Sequence, residues 1–271
     1  MNDLKKVVAI TSLPTVGNAG LKNMISILGT RLLPVPTLLI SGLGNIEGHR
    51  RFDVPFEELL HETFAMAKRQ DYQLIVYVGY LHQASQVDAI LRTIEKFSER
   101  IVSIIIDPVC GDNGQAYVKQ DIIDRLPKLL KKADWAFPNE TEVRILSGFD
   151  YASDLGLLQK SLLKAHPAMR LITTGVKDKE KIYNEFRFGP TEYRTEHRLI
   201  HQPISGTGDA FVALFILMHF FQHEDIEEAL LQAGDAVSLL VQKSQQVGRS
   251  EMNLDAFTLS DLSFIQNDLT P

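Results

Sequence analysis

LIVYVGYLHQASQVDAILRTIEKFSERIVSIIID, residues 74–107, reads as strand, helix, strand. Leu74 to Gly79 is a short apolar run without polar alternation, the pattern of a strand buried on both faces. After Gln83, the residues Val87, Ile90, Leu91 and Ile94 recur at helical spacing. Ile101 to Asp107 is the clearest strand of the chain. Strands joined by a helix of this length lie parallel, with a right-handed crossover.

The pattern repeats outward in both directions. Toward the N-terminus, Lys6 to Thr11 reads as a buried strand and Leu21 to Leu28 as the helix after it, while Pro34 and Pro36 confine any strand near Leu32 to Ile40 to its later half. Toward the C-terminus, one helix carries Ile122, Ile123, Leu126, Leu129 and Leu130 on a single face. A short run at Trp135 to Phe137 follows, then helical segments at Glu140 to Leu146 and Asp154 to Ala165, and a strand at Arg170 to Thr174. A hairpin around Lys181 to Arg194 leads into HRLIHQP, and helices from Gly208 to Phe221 and Asp225 to Ser244 close the chain. This alternation implies an α/β fold with a mainly parallel central sheet covered on both faces, and ligands at the carboxyl ends of its strands. With no internal repeat, low-complexity tract or Pro/Ser/Gly-rich linker, residues 1–271 read as one domain.

Composition removes whole classes of function. With 45% hydrophobic and 23% charged residues the chain is neither disordered nor collagen-like. A formal charge of −6 argues against a nucleic-acid partner, which calls for clustered Lys and Arg. The single cysteine, Cys110, excludes an internal disulfide and fits a reducing compartment. Pro14 and Gly17-Asn18-Ala19-Gly20 cut the first apolar run short of signal-peptide form, and Ala210 to Phe221 is too short to span a bilayer; a cytoplasmic protein with no membrane partner is expected.

The stretch richest in chemistry is Gly206-Thr207-Gly208-Asp209, followed at once by the apolar run from Ala210 to Leu214. Glycines allow a tight turn, and the helix behind it gathers unpaired N–H groups and the positive helix end at one point, which makes an anion hole. A carboxylate there would repel phosphate. The conflict resolves if Asp209 accepts the proton of an incoming hydroxyl while the amides stabilise charge on a transferring phosphoryl group. The ordinary alternative is that Asp209 only caps the helix.

Asp107-Pro108-Val109-Cys110-Gly111-Asp112-Asn113-Gly114 begins where the strongest strand ends, which puts Asp107 and Asp112 at the ligand edge of the sheet. Carboxylates beside a triphosphate hold magnesium, commonly through water, although the composition is equally that of a turn. In Pro138-Asn139-Glu140-Thr141-Glu142, Asn139 and Glu142 stand three apart at a helix start. That spacing suits a helix cap as well as a magnesium-nucleotide site.

The order DPVCGDNG, PNETE, GTGD across the whole chain resembles the ribokinase superfamily, and within it the pyridoxal kinases; DPVCGDNGQAYV is the most specific piece. The resemblance implies a ribokinase-like three-layer α/β/α sandwich, commonly a homodimer, that transfers the γ-phosphoryl group of ATP to the 5′-hydroxyl of a B6 vitamer. It assigns Asp209 as base and Gly206, Thr207 and Gly208 as anion hole. It sets Asp107, Asn139 and Glu142 near magnesium and the phosphates, with Asp107 and Glu142 as the metal's carboxylates. Asp112 and Tyr117 fall in its nucleotide-side loop, and Phe188 to Pro203 match the part that lies against adenine. Thr173 and Thr174 end a strand where the family places a nucleotide-contacting Thr or Ser, and the resemblance does not choose between them. A monovalent cation is a further cofactor the sequence neither requires nor excludes.

On the substrate side the resemblance assigns Ser12, Gly17 and Tyr80. The chain departs from the family pattern at Leu13, where many members carry His, and at Gly44, where a Thr is expected to touch the vitamer. These departures bear on the choice of vitamer and leave open two rivals, a hydroxymethylpyrimidine kinase and a pyridoxal phosphate binding protein without turnover. His197 and His201, lacking a carboxylate at ligand spacing, read as surface or loop residues, and His49-Arg50-Arg51 as a solvated patch. Cys110 lacks the partners of a nucleophile, and no Walker lysine motif is present.

Overall fold

The computed structural model describes residues 4–44, 46–148, 154–201, 204–252 and 254. In chain order its elements are β1 (Lys5–Pro14), α1 (Leu21–Leu28), β2 (Leu32–Ile40), β3 (Arg51–Phe52), α2 (Phe56–Arg69), β4 (Gln73–Val78), α3 (Ala84–Lys96), β5 (Ile101–Ile106), β6 (Gly111–Asp112) and β7 (Gln115–Ala116). There follow α4 (Gln120–Ile123), α5 (Leu126–Leu130), β8 (Trp135–Ala136), α6 (Glu140–Ser147), α7 (Leu155–Ala165), β9 (Arg170–Asp178), β10 (Lys181–Phe188), β11 (Thr191–Arg198), α8 (Thr207–Ile216) and α9 (Ile226–Gln246).

The main sheet has nine strands in the order β11-β10-β9-β8-β5-β4-β1-β2-β3. The run from β9 to β2 is parallel throughout, and antiparallel strands flank it at both ends. The continuous apolar strands of residues 74–107 are explained by burial on both faces. Val7, Ala9, Ile75, Tyr77 and Ile105 join one core with α1, α8 and α9, while Val8, Ile10, Val76, Val78 and Ile104 join a second core with α2, α3, α4 and α5. Each fully buried aliphatic side chain contributes roughly 1.5–3 kcal/mol by leaving water. Helix α8 is apolar all round because it lies inside the first core, with every residue from Ala210 to Ile216 buried. It continues through a π-helical turn at Leu217–Gln222, ended by His223 in the left-handed region (φ 66°).

Three expectations need correction. Strand β2 covers all of Leu32–Ile40, prolines included. Its first half pairs only with β1, because β3 reaches no further than Leu39 and Ile40; Pro34 and Pro36 therefore lie on an open edge where a missing N–H removes no ladder bond. The single helix expected around residues 122–130 is two short helices, with Pro127 in the first turn of α5, where a proline ring clears the preceding turn. The expected face survives the break, since Ile122, Ile123, Leu126, Leu129 and Leu130 are all buried. The hairpin extends past Arg194 to Arg198, which makes His197 a strand residue. No helix among the described residues is long and apolar enough to cross a membrane.

Candidate active site

Strand order reverses between β1 and β4, and in open α/β sheets ligands bind beyond the carboxyl ends at such a point. Residues after β1, β4 and β5 meet there. Asp107 follows β5 directly, its N–H donating to Val78 O at 2.8 Å. The Tyr77 hydroxyl donates to Asp107 Oδ2 at 3.1 Å, and the Val109 amide also supports that carboxylate. Val109 has φ 35°, a left-handed conformation that a β-branched residue adopts only under strain. Burial, then the nearby Glu142 and Asp209 charges, push the Asp107 carboxyl well above its ordinary range.

Asn139 and Glu142 form a reciprocal helix cap, so the capping alternative is realised. Asn139 Oδ1 accepts the Glu142 N–H at 3.0 Å and Glu142 Oε2 accepts the Asn139 N–H at 2.9 Å. The same side chains reach across to the loop after β5. Glu142 Oε1 accepts from the Cys110 and Gly111 amides at 2.9 and 3.4 Å, and Asn139 Nδ2 donates to Gly111 O at 2.8 Å. Glu142 is pushed up to about 7 by burial, against the pull of these amides. Its cap thus fixes the loop that presents Asp107 and Asp112. That loop folds back as the β6–β7 hairpin through Asn113 (φ 49°) and Gly114 (φ 77°), the conformation an Asn-Gly turn favours.

Asp112 faces an open cleft of about 260 Å³ together with Gly114, Asn139, Thr141, Gly175 and Lys177. Tyr117 is exposed just beyond the hairpin, tied by its N–H to Cys110 O at 3.0 Å. The two threonines separate cleanly. Thr173 is fully buried and accepts from Gln159 Nε2 at 2.8 Å, whereas Thr174 is half-buried beside Asn139, its N–H donating to Pro138 O at 3.0 Å. In the segment matched to adenine binding, Phe188 to Arg198 lie on β10 and β11, and Gln202 and Pro203 lie outside the described residues.

Gly206 precedes α8 with φ 86°. A Cβ on Gly206 would stand 2.3 Å from Asn18 O and 2.5 Å from Asn23 Nδ2, so only glycine fits. At Gly208 a Cβ would meet nothing within 4 Å, and the residue is exposed. The first-turn amides of Thr207, Gly208 and Asp209 have no carbonyl within the helix to serve. Asp209 is not the cap, since Gly206 holds that position and the Asp209 side chain makes no bond to its own helix end. Its Oδ2 instead accepts the Gly20 N–H at 2.8 Å, at the start of α1. Burial pushes Asp209 up to about 6, partly offset by the Gly20 amide.

The substrate-side residues join through contacts around Gly20 and Thr11. A Cβ on Gly20 would be 2.3 Å from Ser12 O and 3.0 Å from Ser12 Oγ. Thr11 Oγ1 accepts the Tyr80 N–H at 3.0 Å, which locks the ends of β1 and β4 together. Gly17 is buried against Leu43 and Glu251, and Gly44 is exposed with open space above it.

Several residues of the site had no signal strong enough to be found in the sequence. Tyr77 reads as one more apolar residue of a buried strand, although it carries the only hydroxyl in LIVYVG. Asn23 is fully buried on α1 and donates through Nδ2 to Gly206 O at 2.8 Å. A polar residue at a core-facing helix position was its only mark. Glu251 comes from the segment after α9, far away in sequence. His197 is neither a surface nor a loop residue: it is buried, with Nδ1 2.9 Å from Asp235 Oδ1 and Nε2 3.2 Å from Thr195 Oγ1. The carboxylate missing from its neighbourhood in sequence is supplied by α9. His201 is exposed, and Cys110 is buried with its thiol pushed up by burial.

A family model described as phosphomethylpyrimidine kinase matches residues 44–255. The chain is 26% identical over 244 residues, 85% of its length and 78% of the relative's, to an inferred pyridoxal kinase of Schizosaccharomyces pombe. Its fold matches that of the pyridoxal kinase from Lactobacillus plantarum with a TM-score of 0.84 at 20% identity, over 100% of each chain. The pyridoxal kinase from Leishmania donovani, in complex with ADP and pyridoxamine, aligns with a TM-score of 0.78 at 22% identity, over 93% of this chain and 91% of that one. The three-layer, mainly parallel architecture is the ribokinase-like fold these enzymes share.

Proposed function

The chain belongs to the phosphomethylpyrimidine kinase family, and on that premise we propose that it transfers the γ-phosphoryl group of ATP to the 5′-hydroxyl of a B6 vitamer. The observation that carries this reading is the setting of Asp209. A carboxylate raised to about 6 stands in the first turn of a buried helix, next to open space at Gly208 and hydrogen-bonded to the Gly20 amide at the end of the loop after β1. A base near neutral pH there can take the proton of a substrate hydroxyl. The amides of Thr207 and Gly208 supply donors where phosphoryl charge develops.

ATP enters from the side of Asp112, Tyr117, Asn139 and Thr174. Thr173 supports the interior of β9 through Gln159, and Glu142 acts by fixing the loop above Asp107. Magnesium fits the donor set. Asp107 is a buried carboxylate crowded by Glu142 and Asp209, and one or two carboxylates with water are what this cation asks of a protein when phosphates complete its shell. Asp107 would hold it directly or through water, with Glu142 behind. When bound, magnesium neutralises phosphate charge. A homodimer in the cytoplasm belongs to the same reading, supported by the family resemblance and the single buried cysteine.

The rival substrate is a hydroxymethylpyrimidine, favoured by the description of the matching family model and by the departures at Leu13 and Gly44. ATP consumption by the purified protein with magnesium, measured separately with pyridoxal, pyridoxine, pyridoxamine and hydroxymethylpyrimidine, decides between them. Asp209→Asn is the control, expected to lose about 10²–10⁴-fold in kcat while still binding ATP. Turnover with the pyrimidine alone moves the substrate. Turnover with none favours a binding protein, and activity retained in Asp209→Asn removes the base.

A further inference from the structure

The loop from Gly17 to Gly20 is held from two sides. On one side, Glu251 Oε2 accepts the Asn18 N–H at 3.2 Å, and Asn18 Nδ2 donates to Met252 O at 2.8 Å. On the other, the Gly20 N–H donates to Asp209 Oδ2 at 2.8 Å. The segment carrying Glu251 is itself tied to the residue before the anion-hole turn: Ser205 N–H donates to Ser250 O at 2.9 Å, and Met252 N–H donates to Ser205 O at 3.1 Å. Met252 is fully buried and Leu254 nearly so, which seats the segment in the core beneath α8 and α9.

The packing leaves little freedom between these parts. A Cβ on Gly17 would lie 2.8 Å from Glu251 Oε2, and one on Gly206 would lie 2.3 Å from Asn18 O. Glu251, Asn18 and Gly206 are therefore stacked against one another, and Gly20 is two residues beyond Asn18. An N–H donated to a carboxylate is one of the stronger hydrogen bonds available to a loop. It fixes the loop at Asn18, on the same short arc whose Gly20 amide sets the direction of the Asp209 carboxylate.

We propose that Glu251 is a positioning residue for phosphoryl transfer, acting through Asn18 and Gly20 to hold the Asp209 carboxylate in its working orientation. This rests on the reading of Asp209 as the base. The C-terminal segment is then a clasp that joins the anion-hole turn to the loop after β1, and the site depends on it although Glu251 lies outside every motif of the chain.

The test compares Glu251→Ala with Glu251→Gln, which keeps an acceptor oxygen at the same place. Each is measured for kcat, for KM of ATP and vitamer, for Tm, and for hydrogen exchange at the Asn18 and Gly20 amides. In Glu251→Ala both amides exchange faster and kcat falls about tenfold or more, as expected for a misplaced reacting group, while KM for ATP stays within about twofold. Glu251→Gln keeps most of kcat and the protection of Gly20. Wild-type exchange at Gly20 in the alanine variant, or an unchanged kcat, overturns the proposal. Should the alanine variant not fold, Glu251→Asp, which withdraws the carboxylate by one methylene, is read by the same two criteria. Turnover of the unmodified protein judges the functional reading separately, because Gly20 exchange in the variants decides the clasp whether or not a B6 vitamer is the substrate.

Discussion

The Tyr77 hydroxyl donates to Asp107 Oδ2 at 3.1 Å, from near the carboxyl end of β4 to the residue that follows its neighbour β5. Tyr77 is fully buried, and its own hydroxyl is pushed well above the usual range by burial and by the carboxylates of Asp107, Asp209 and Glu142. The phenol therefore stays protonated and serves Asp107 as a fixed donor. Tyr77→Phe should leave the ring packing intact and cost about 1–3 kcal/mol for the unpaired carboxylate. The magnesium concentration for half-maximal activity should rise, with kcat largely recovered at saturating magnesium. An unchanged magnesium titration would show that the bond serves folding alone.

The raised carboxyl of Asp209 predicts an acid limb in kcat/KM. Below about pH 6 the base is protonated, and activity should fall about tenfold per pH unit, with a plateau above. Stability carries the opposite sign. A carboxyl whose folded pKa lies above its unfolded value favours the folded state when protonated, and that contribution is lost as pH rises through about 6. The Tm of the ligand-free protein relative to Asp209→Asn should therefore decline from about pH 4 to about pH 6 and level off above about pH 7. A limb near the ordinary carboxylate range would mean that water reaches Asp209 freely.

Gly206 and Gly208 should respond oppositely to alanine. Gly206→Ala places a Cβ against backbone at a left-handed residue and should destabilise by about 1–3 kcal/mol. Gly208→Ala meets open space in a helix and should hold or raise stability by up to about 1 kcal/mol. Its kcat should nevertheless fall at least about tenfold, because the methyl group occupies the approach to the amides. Full activity in a stable Gly208→Ala protein would remove the anion hole.

Gly234 on α9 gives His197 its place: a Cβ there would stand 2.1 Å from His197 Nε2. Gly234→Ala must displace the imidazole from Asp235 and should destabilise by about 1–3 kcal/mol, read as a lower Tm. Since His197 anchors β11 to α9, KM for ATP should rise while kcat changes little. A changed kcat with a normal KM would disconnect the hairpin from the nucleotide.

Local signals were legible wherever a short-range rule decides the outcome. The helix at Leu21–Leu28, the cap at Asn139 and Glu142, and the strands at Leu74 and Ile101 follow from spacing, capping chemistry and two-sided burial, all read within a few residues. So does the turn at Gly206, whose left-handed φ a glycine permits. Pro34 and Pro36 argue locally for a shortened strand, and the deciding fact is β2's place at an open edge, which is a property of the sheet order. Likewise Thr173 and Thr174 are indistinguishable along the chain, and strand pleat buried one against Gln159 and left the other half-buried beside Asn139.

The sequence by itself determined the alternation of strand and helix, the parallel sheet and the motifs at its carboxyl edge, because periodicity and turn chemistry act over a few residues. Only the tertiary structure decided that Tyr77 serves Asp107, that Gly20 orients Asp209, and that Glu251 closes on Asn18 from 233 positions away. Those pairings arise from long-range packing of buried polar groups, each of which must find a partner once water is excluded, and no local pattern records which partner that will be.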